Sequence, residues 1–134
     1  EVAARITARP GTKEYGALSL AVQYYTDVSI VAKVPPTVFI PRPEVDSAVI
    51  KLNRRPGPPV ALIDEELFFR VIKAGFGKRR KTLLNSLVNS SLGFSKEQIV
   101  SACETSGINP QSRIEQLTME EIAQLANGLK QAHK

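Results

Sequence analysis

The sequence predicts an α+β chain in two parts. Two strands and one or two helices occupy residues 1–55, and an all-α domain of about four helices occupies residues 60–134. Three observations lead there. Eight of the nine prolines lie within residues 1–59, and the run Arg54-Arg55-Pro56-Gly57-Pro58-Pro59 can continue neither a helix nor a central strand, so 54–60 is read as a linker. Two segments before the linker alternate with a period of two residues. After it the apolar period becomes helical, and capping residues punctuate the chain at Asp64, Ser95 and Thr118.

Each element follows from its residues. Glu1 opens a helix-like pattern, Glu-Val-Ala-Ala-Arg-Ile, that has no cap before it, so the chain is expected to continue something upstream. Arg9-Pro10-Gly11-Thr12 is a loop, and Leu18, Val22 and Tyr25 set a short helix within 14–25. Asp27–Val34 alternates, with Val28, Ile30, Ala32 and Val34 grouped on one face, and Pro35-Pro36 stops it. Val45–Leu52 alternates again. The two strands, joined by Thr37–Glu44, are expected to pair antiparallel. A lone two-stranded ribbon is marginal in water, so these strands should belong to a wider sheet, and without it this half should self-associate.

Beyond the linker, Asp64 caps a helix to about Gly75, with Glu65 and Glu66 suiting the macrodipole in its first turn. A second helix is expected over about 78–91. Ser95-Lys-Glu-Gln98 is a capping box for a third helix that ends before Gly107, and Thr118-Met-Glu-Glu121 is a capping box for a fourth.

Composition narrows the function. Apolar residues make up 43% and charged residues 23%, as in an ordinary globular domain. There is one cysteine, Cys103, and one histidine, His133, so an internal disulfide is excluded, and no metal site and no Cys–His catalytic pair is expected. No stretch approaches the roughly 18 apolar residues of a membrane span, and no secretory pattern opens the chain, so a cytoplasmic location is expected.

The charge is concentrated. Between Leu67 and Ser95 there is no acidic residue, whereas Arg70, Lys73, Lys78, Arg79, Arg80 and Lys81 contribute +6. The whole chain carries +5, so everything else is net −1. With a helix expected from residue 78, four cations would crowd its N-terminus and oppose its dipole, which suggests a phosphate-bearing partner. A solvated basic face is the plain alternative. Phe68, Phe69 and Phe76 sit at core spacing, and Cys103, among Ile99, Val100 and Ala102, is read as a buried thiol. Arg113 and Glu115 are read as a loop-fixing ion pair. No GxGxxG, Walker A or nucleophile-elbow motif occurs. The residues alone describe a basic module for RNA. A helical DNA reader, with Asn85 and Asn89 on one face, is the other option.

Four segments in order carry a resemblance. Phe39-Ile-Pro-Arg-Pro-Glu-Val-Asp-Ser47 resembles the F-x-P-x-P-x-V-x-S signature of the rRNA adenine N6-dimethyltransferases, and Phe76-Gly-Lys-Arg-Arg-Lys-Thr-Leu83 resembles their F-x-x-R-R-K-x-L helix entry. Arg113-Ile-Glu-Gln-Leu117 is similar to their R-x-E-x-L element, and Pro10–Gln23 is also family-like. The match is to the bacterial small-subunit (KsgA) type, with the macrolide-resistance 23S rRNA methyltransferases as near relatives.

The resemblance implies that residues 1–55 end a Rossmann-like methyltransferase sheet and that residues 60–134 form a helical domain recognising RNA or the ribosome. It implies S-adenosylmethionine as the methyl donor of a longer parent enzyme, with its glycine-rich loop, ribose-holding acid and N-L-P-Y motif upstream of this sequence, and no metal. The 134 residues alone are therefore expected to be inactive. It implies 16S rRNA in the small ribosomal subunit as substrate, Phe39 stacking on the target adenine, and Pro41 and Pro43 stiffening its loop. Arg70, Lys73, Lys78, Arg79, Arg80 and Lys81 are the residues expected to touch RNA.

Overall fold

The proline run closes one structural unit, Glu1–Pro59, and Val60 opens a second that runs to Lys134. The computed structural model describes residues 2–34, 47–78 and 80–132. Phe39, Pro41, Pro43, Arg79 and His133, together with the start of the second predicted strand and the connection before it, lie outside the described residues.

The first unit contains α1 (Val2–Ile6), α2 (Ala17–Tyr25), β1 (Thr26–Val34) and β2 (Ser47–Arg54). The polar residues of α2 hold the preceding chain in place. Ser19 is completely buried; its Oγ accepts from the Gly16 N–H at 3.1 Å and donates to the Arg5 carbonyl. Gln23 Nε2 donates to the carbonyls of Ile6 at 2.8 Å and Ala8 at 3.0 Å. These bonds satisfy backbone groups that would otherwise be stranded beside buried Tyr15, Leu20 and Tyr24.

The strands pair antiparallel, as their patterns predict, from Thr26↔Arg54 to Val34↔Ser47. The register slips by one residue between Ile30 and Ala32, a bulge that interrupts the two-residue alternation expected to run unbroken along β1. The second strand extends to Arg54, which pairs with Thr26 and so belongs to the sheet and not to the linker. Arg55 then ties the strand exit to α2, its N–H donating to the Tyr25 carbonyl at 3.0 Å and its Nε to the Gln23 carbonyl at 2.9 Å.

The second unit contains α3 (Glu65–Gly77), α4 (Leu83–Val88), α5 (Lys96–Ser106), a 3₁₀ turn (Ile114–Gln116) and α6 (Met119–Ala132). The capping signals act as read. Asp64 accepts from the Leu67 N–H at 3.1 Å and pairs with Lys130 at 3.2 Å. The Leu67 bond first, and then Lys130, hold its carboxyl below the ordinary 3.8. Its contribution to stability is therefore complete above 3.8 and is lost as pH falls through the lowered value. Ser95 and Gln98 exchange capping bonds at 3.2 and 2.8 Å, and Gly107, at φ 71°, ends α5 in the left-handed region. Thr118 and Glu121 exchange theirs at 3.1 and 2.9 Å.

Helix α6 packs on α3 and α5, and α4 joins α3 to α5. Phe68, Ile72, Leu83, Leu87, Ile122, Leu125 and Leu129 are almost entirely removed from water. Two glycines let backbones approach. A Cβ at Gly128 would sit 3.3 Å from Ala102 Cβ, and a Cβ at Gly75 would fall 2.3 Å from Ile114 Cδ1 and 3.1 Å from its Cβ. The second clash involves the whole branch of a side chain only 1% exposed, which has nowhere to move. No helix among the described residues is long and apolar enough to cross a membrane.

Two glycines two residues apart in α3 should thus respond oppositely to the same change. Gly75→Ala should lower stability by about 1–3 kcal/mol through overpacking. Gly77→Ala, where a Cβ meets no atom within 4 Å, should leave stability unchanged or raise it by about 0.4–1 kcal/mol. Urea midpoints of the two variants, compared at a common m-value, check both signs.

Candidate nucleic-acid interface

Helix α3 separates its residues into two faces. Leu67, Phe68, Val71, Ile72 and Gly75 are buried, and Arg70, Lys73, Gly77 and Lys78 are exposed on the other side. The spacing of three and four residues that builds the core stripe also aligns the cations with Ala74 and Gly77.

The basic run that follows is not in a helix. The second helix of this unit starts at Leu83, five residues later than its sequence suggests. Lys78 is the C-cap of α3, Arg80 and Lys81 are exposed in the connecting turn, and the Lys81 N–H donates to the Lys78 carbonyl at 2.9 Å. The cations therefore follow a helix C-terminus, where the dipole favours positive charge, and do not oppose an N-terminus.

The reason lies in a distant segment. The Leu83 N–H donates to the Ser112 carbonyl at 2.6 Å and the Leu84 N–H to the Pro110 carbonyl at 3.1 Å. Thr82 Oγ1 takes the Asn85 N–H at 3.2 Å. The N–H groups at the start of α4 are thereby satisfied from within.

The structure brings Arg70, Lys73 and Lys78 together around a cavity of about 370 Å³, whose opposite wall is Ser86 and Asn89–Leu92 from the end of α4. The cations were legible as a charge run. The hydroxyl and amide wall was not singled out, although Asn85-Ser86-Leu-Val-Asn89-Ser90-Ser91 is a polar run facing an acid-free stretch. Among the described residues no carboxylate is paired with Arg70, Lys73, Lys78, Arg80 or Lys81.

Other candidates resolve as core or as loop. Phe68 is fully buried, and Phe69 lies edge-on to it with ring centroids 5.1 Å apart. Arg113 and Glu115 approach to 3.9 Å at the surface while Ile114 between them is buried. Burial and, after it, the neighbouring Glu104 push the Cys103 thiol up to about 11. Among the described residues no cluster of His, Cys, Asp and Glu could hold a metal ion.

A sequence model described as ribosomal RNA adenine dimethylase matches residues 1–131. The chain belongs to that family. It is 55% identical over 131 residues to the ribosomal RNA small subunit methyltransferase A of Geobacillus thermodenitrificans, covering 96% of this chain and 45% of that protein. It is 55% identical over 129 residues to the protein of the same name from Moorella thermoacetica, covering 96% of this chain and 44% of that one. The chain thus spans less than half the length of these relatives.

Two solved structures share the fold. One is a dimethyladenosine transferase from Plasmodium falciparum, with TM-score 0.72 and 21% identity, over 92% of this chain and 51% of that one. The other is the 23S rRNA methyltransferase ErmE, with TM-score 0.63 and 22% identity, over 91% of this chain and 50% of that one. The fold class is α+β, as the sequence predicts.

The family uses S-adenosylmethionine. The cavity does not fit it: the donor's sulfonium is a cation, three cations line the wall, and among the described residues no carboxylate there could hold the ribose hydroxyls.

The buried thiol gives a direct check of the packing around α5. Cys103 should resist iodoacetamide at about pH 7.5 in the native chain, since both access and the thiolate are suppressed, and should react fully in denaturing urea. Mass spectrometry of the two samples reads the difference.

Proposed function

We propose that the chain is the RNA-engaging portion of an S-adenosylmethionine-dependent adenine N6,N6-dimethyltransferase of 16S rRNA, acting in the cytoplasm on the small ribosomal subunit. The observation that carries the reading is the family match over residues 1–131 combined with a basic, acid-free surface running from α3 through the turn to α4. Residues 60–134 serve as the recognition domain, and the cofactor site lies outside the chain. The strands β1 and β2 complete a wider sheet supplied by the rest of the parent enzyme. Exposed Leu18, Tyr25 and Leu52, at 45%, 54% and 49%, support a covered role for this unit.

Methyl transfer to an adenine amine calls for the base to be taken from its stack and held flat, in line with the methyl group. Phe39 supplies the platform in this reading, and Pro41 and Pro43 restrict its loop so that less entropy is lost when the base docks. Arg70, Lys73, Lys78, Arg79, Arg80 and Lys81 hold phosphates and set the register of the RNA. The chain's own contribution is binding and orientation.

Replacing Lys78, Arg79, Arg80 and Lys81 together by Ala should weaken binding to 16S rRNA and flatten the log–log salt dependence by about 0.7–0.9 for each phosphate no longer neutralised. Because Lys78, Arg80 and Lys81 are exposed and follow the end of α3, the melting temperature should fall only slightly, through the favourable dipole interaction lost there. An unchanged salt slope would leave the cluster as a solvated face.

In the longer parent enzyme, Phe39→Ala should cut methylation about tenfold to a hundredfold, with cofactor affinity preserved. Parental rates on assembled small subunits would return Phe39 to the core.

A further inference from the structure

We propose that the cavity between α3 and α4 seats a single nucleotide unit of single-stranded RNA, with its phosphate toward Arg70, Lys73 and Lys78 and its sugar and base toward Ser86, Asn89 and Ser90. The proposal rests on the RNA-binding reading above and gives that surface a built pocket. One wall offers only donors, since Arg and Lys side chains have no acceptor.

The other wall offers acceptors, because the hydroxyl hydrogens of Ser86 and Ser90 and one of the two amide hydrogens of Asn89 are already committed. Ser86 Oγ donates to the Leu83 carbonyl at 3.0 Å, Ser90 Oγ to the Leu87 carbonyl at 2.6 Å, and Asn89 Nδ2 to the Asn85 carbonyl at 3.0 Å. Each side chain keeps an oxygen lone pair. Two of these bonds also engage carbonyls near the end of α4, those of Asn85 and Leu87.

A bare inorganic anion would be served by the first wall alone. A ligand that is anionic at one end and carries hydroxyl or amine donors at the other uses both. A ribonucleotide has that form, and its 2′-hydroxyl is the donor that a deoxyribonucleotide lacks. The volume of about 370 Å³ falls in the small-ligand range of about 300–1,000 Å³ and is too small for a duplex. Ala74 and Gly77 keep the floor open between the cations. Among the described residues no carboxylate lines the cavity, so cationic ligands are disfavoured.

The glycine provides a test that leaves charge untouched. A side chain at Gly77 starts in open space, with no atom within 4 Å of its Cβ, and Gly77 lines the cavity, so Gly77→Leu should place apolar volume at its edge. Fluorescence anisotropy of labelled hexauridylate and its deoxy counterpart, titrated with the full 134-residue chain, is the measurement. The parent should prefer the ribo form several-fold. Gly77→Leu should weaken hexauridylate binding about tenfold at an unchanged salt slope. Arg70→Gln with Lys73→Gln should weaken it and flatten the slope by about 0.7 for each phosphate no longer neutralised. Asn89→Ala should reduce the ribo preference.

Parental affinity in a Gly77→Leu variant that melts normally would overturn the proposal. So would equal binding of the two hexamers, or inorganic phosphate competing as well as uridine 5′-monophosphate. In all three cases the wider RNA reading stands if the quadruple alanine variant still loses 16S rRNA. A chain that binds neither the hexamer nor 16S rRNA removes both.

Discussion

The close approach of Gly75 and Ile114 governs the second unit. Ile114 occupies the space where any other residue at position 75 would carry its side chain. The irregular segment that delivers Ile114 also delivers the Pro110 and Ser112 carbonyls to the start of α4. One stretch of chain therefore spaces α3 from below and caps α4 from the side. These interactions fix the end of α3 and the start of α4 on either side of the basic stretch. This is a physical reason why the segments Phe76–Leu83 and Arg113–Leu117, distant in sequence, belong together: the isoleucine of the second lies under the helix that leads into the first.

Charge placement is self-consistent across the unit. Acidic residues fill first turns at Glu65, Glu66, Glu97, Glu120 and Glu121, and Lys130 lies in the last turn of α6, where it meets Asp64. The cations of α3 and the turn obey the same rule, since the run begins at a helix C-terminus. What sets them apart is the absence of any acid from Leu67 to Ser95, and not a conflict with the dipole. Under the proposed function, such a surface would hold phosphate without a cost to the helices that present it.

Among its described residues, the first unit is held by polar ties. Ser19, Gln23 and Arg55 supply hydrogen bonds that join α1, α2 and the exit of β2 beside buried Tyr15, Leu20 and Tyr24. Such bonds define geometry well but contribute modestly to stability, about 0.5–1.5 kcal/mol each. A two-stranded sheet built this way gains from further strands.

By itself the sequence determined most features whose cause is local, although the equally local Thr82 cap of α4 was not singled out. Asp64, Ser95 and Thr118 bond N–H groups three residues onward, and Gly107 takes the left-handed angle beside the helix it ends, so helix starts and stops could be read residue by residue. The antiparallel strand pair and the basic stretch were legible for the same reason: period and charge are properties of neighbours. The tertiary structure alone decided the rest. Helix α4 begins at Leu83 because the carbonyls of Ser112 and Pro110, far along the chain, accept its first two N–H groups. The bulge in β1 appears only when the partner strand sets the register. Likewise the second wall of the cavity exists only because α3 and α4 are folded against each other, placing Ser86 and Asn89 opposite Arg70 and Lys73. Local sequence encodes hydrogen bonds that close within one turn, whereas long-range partners are assigned only when the chain has packed.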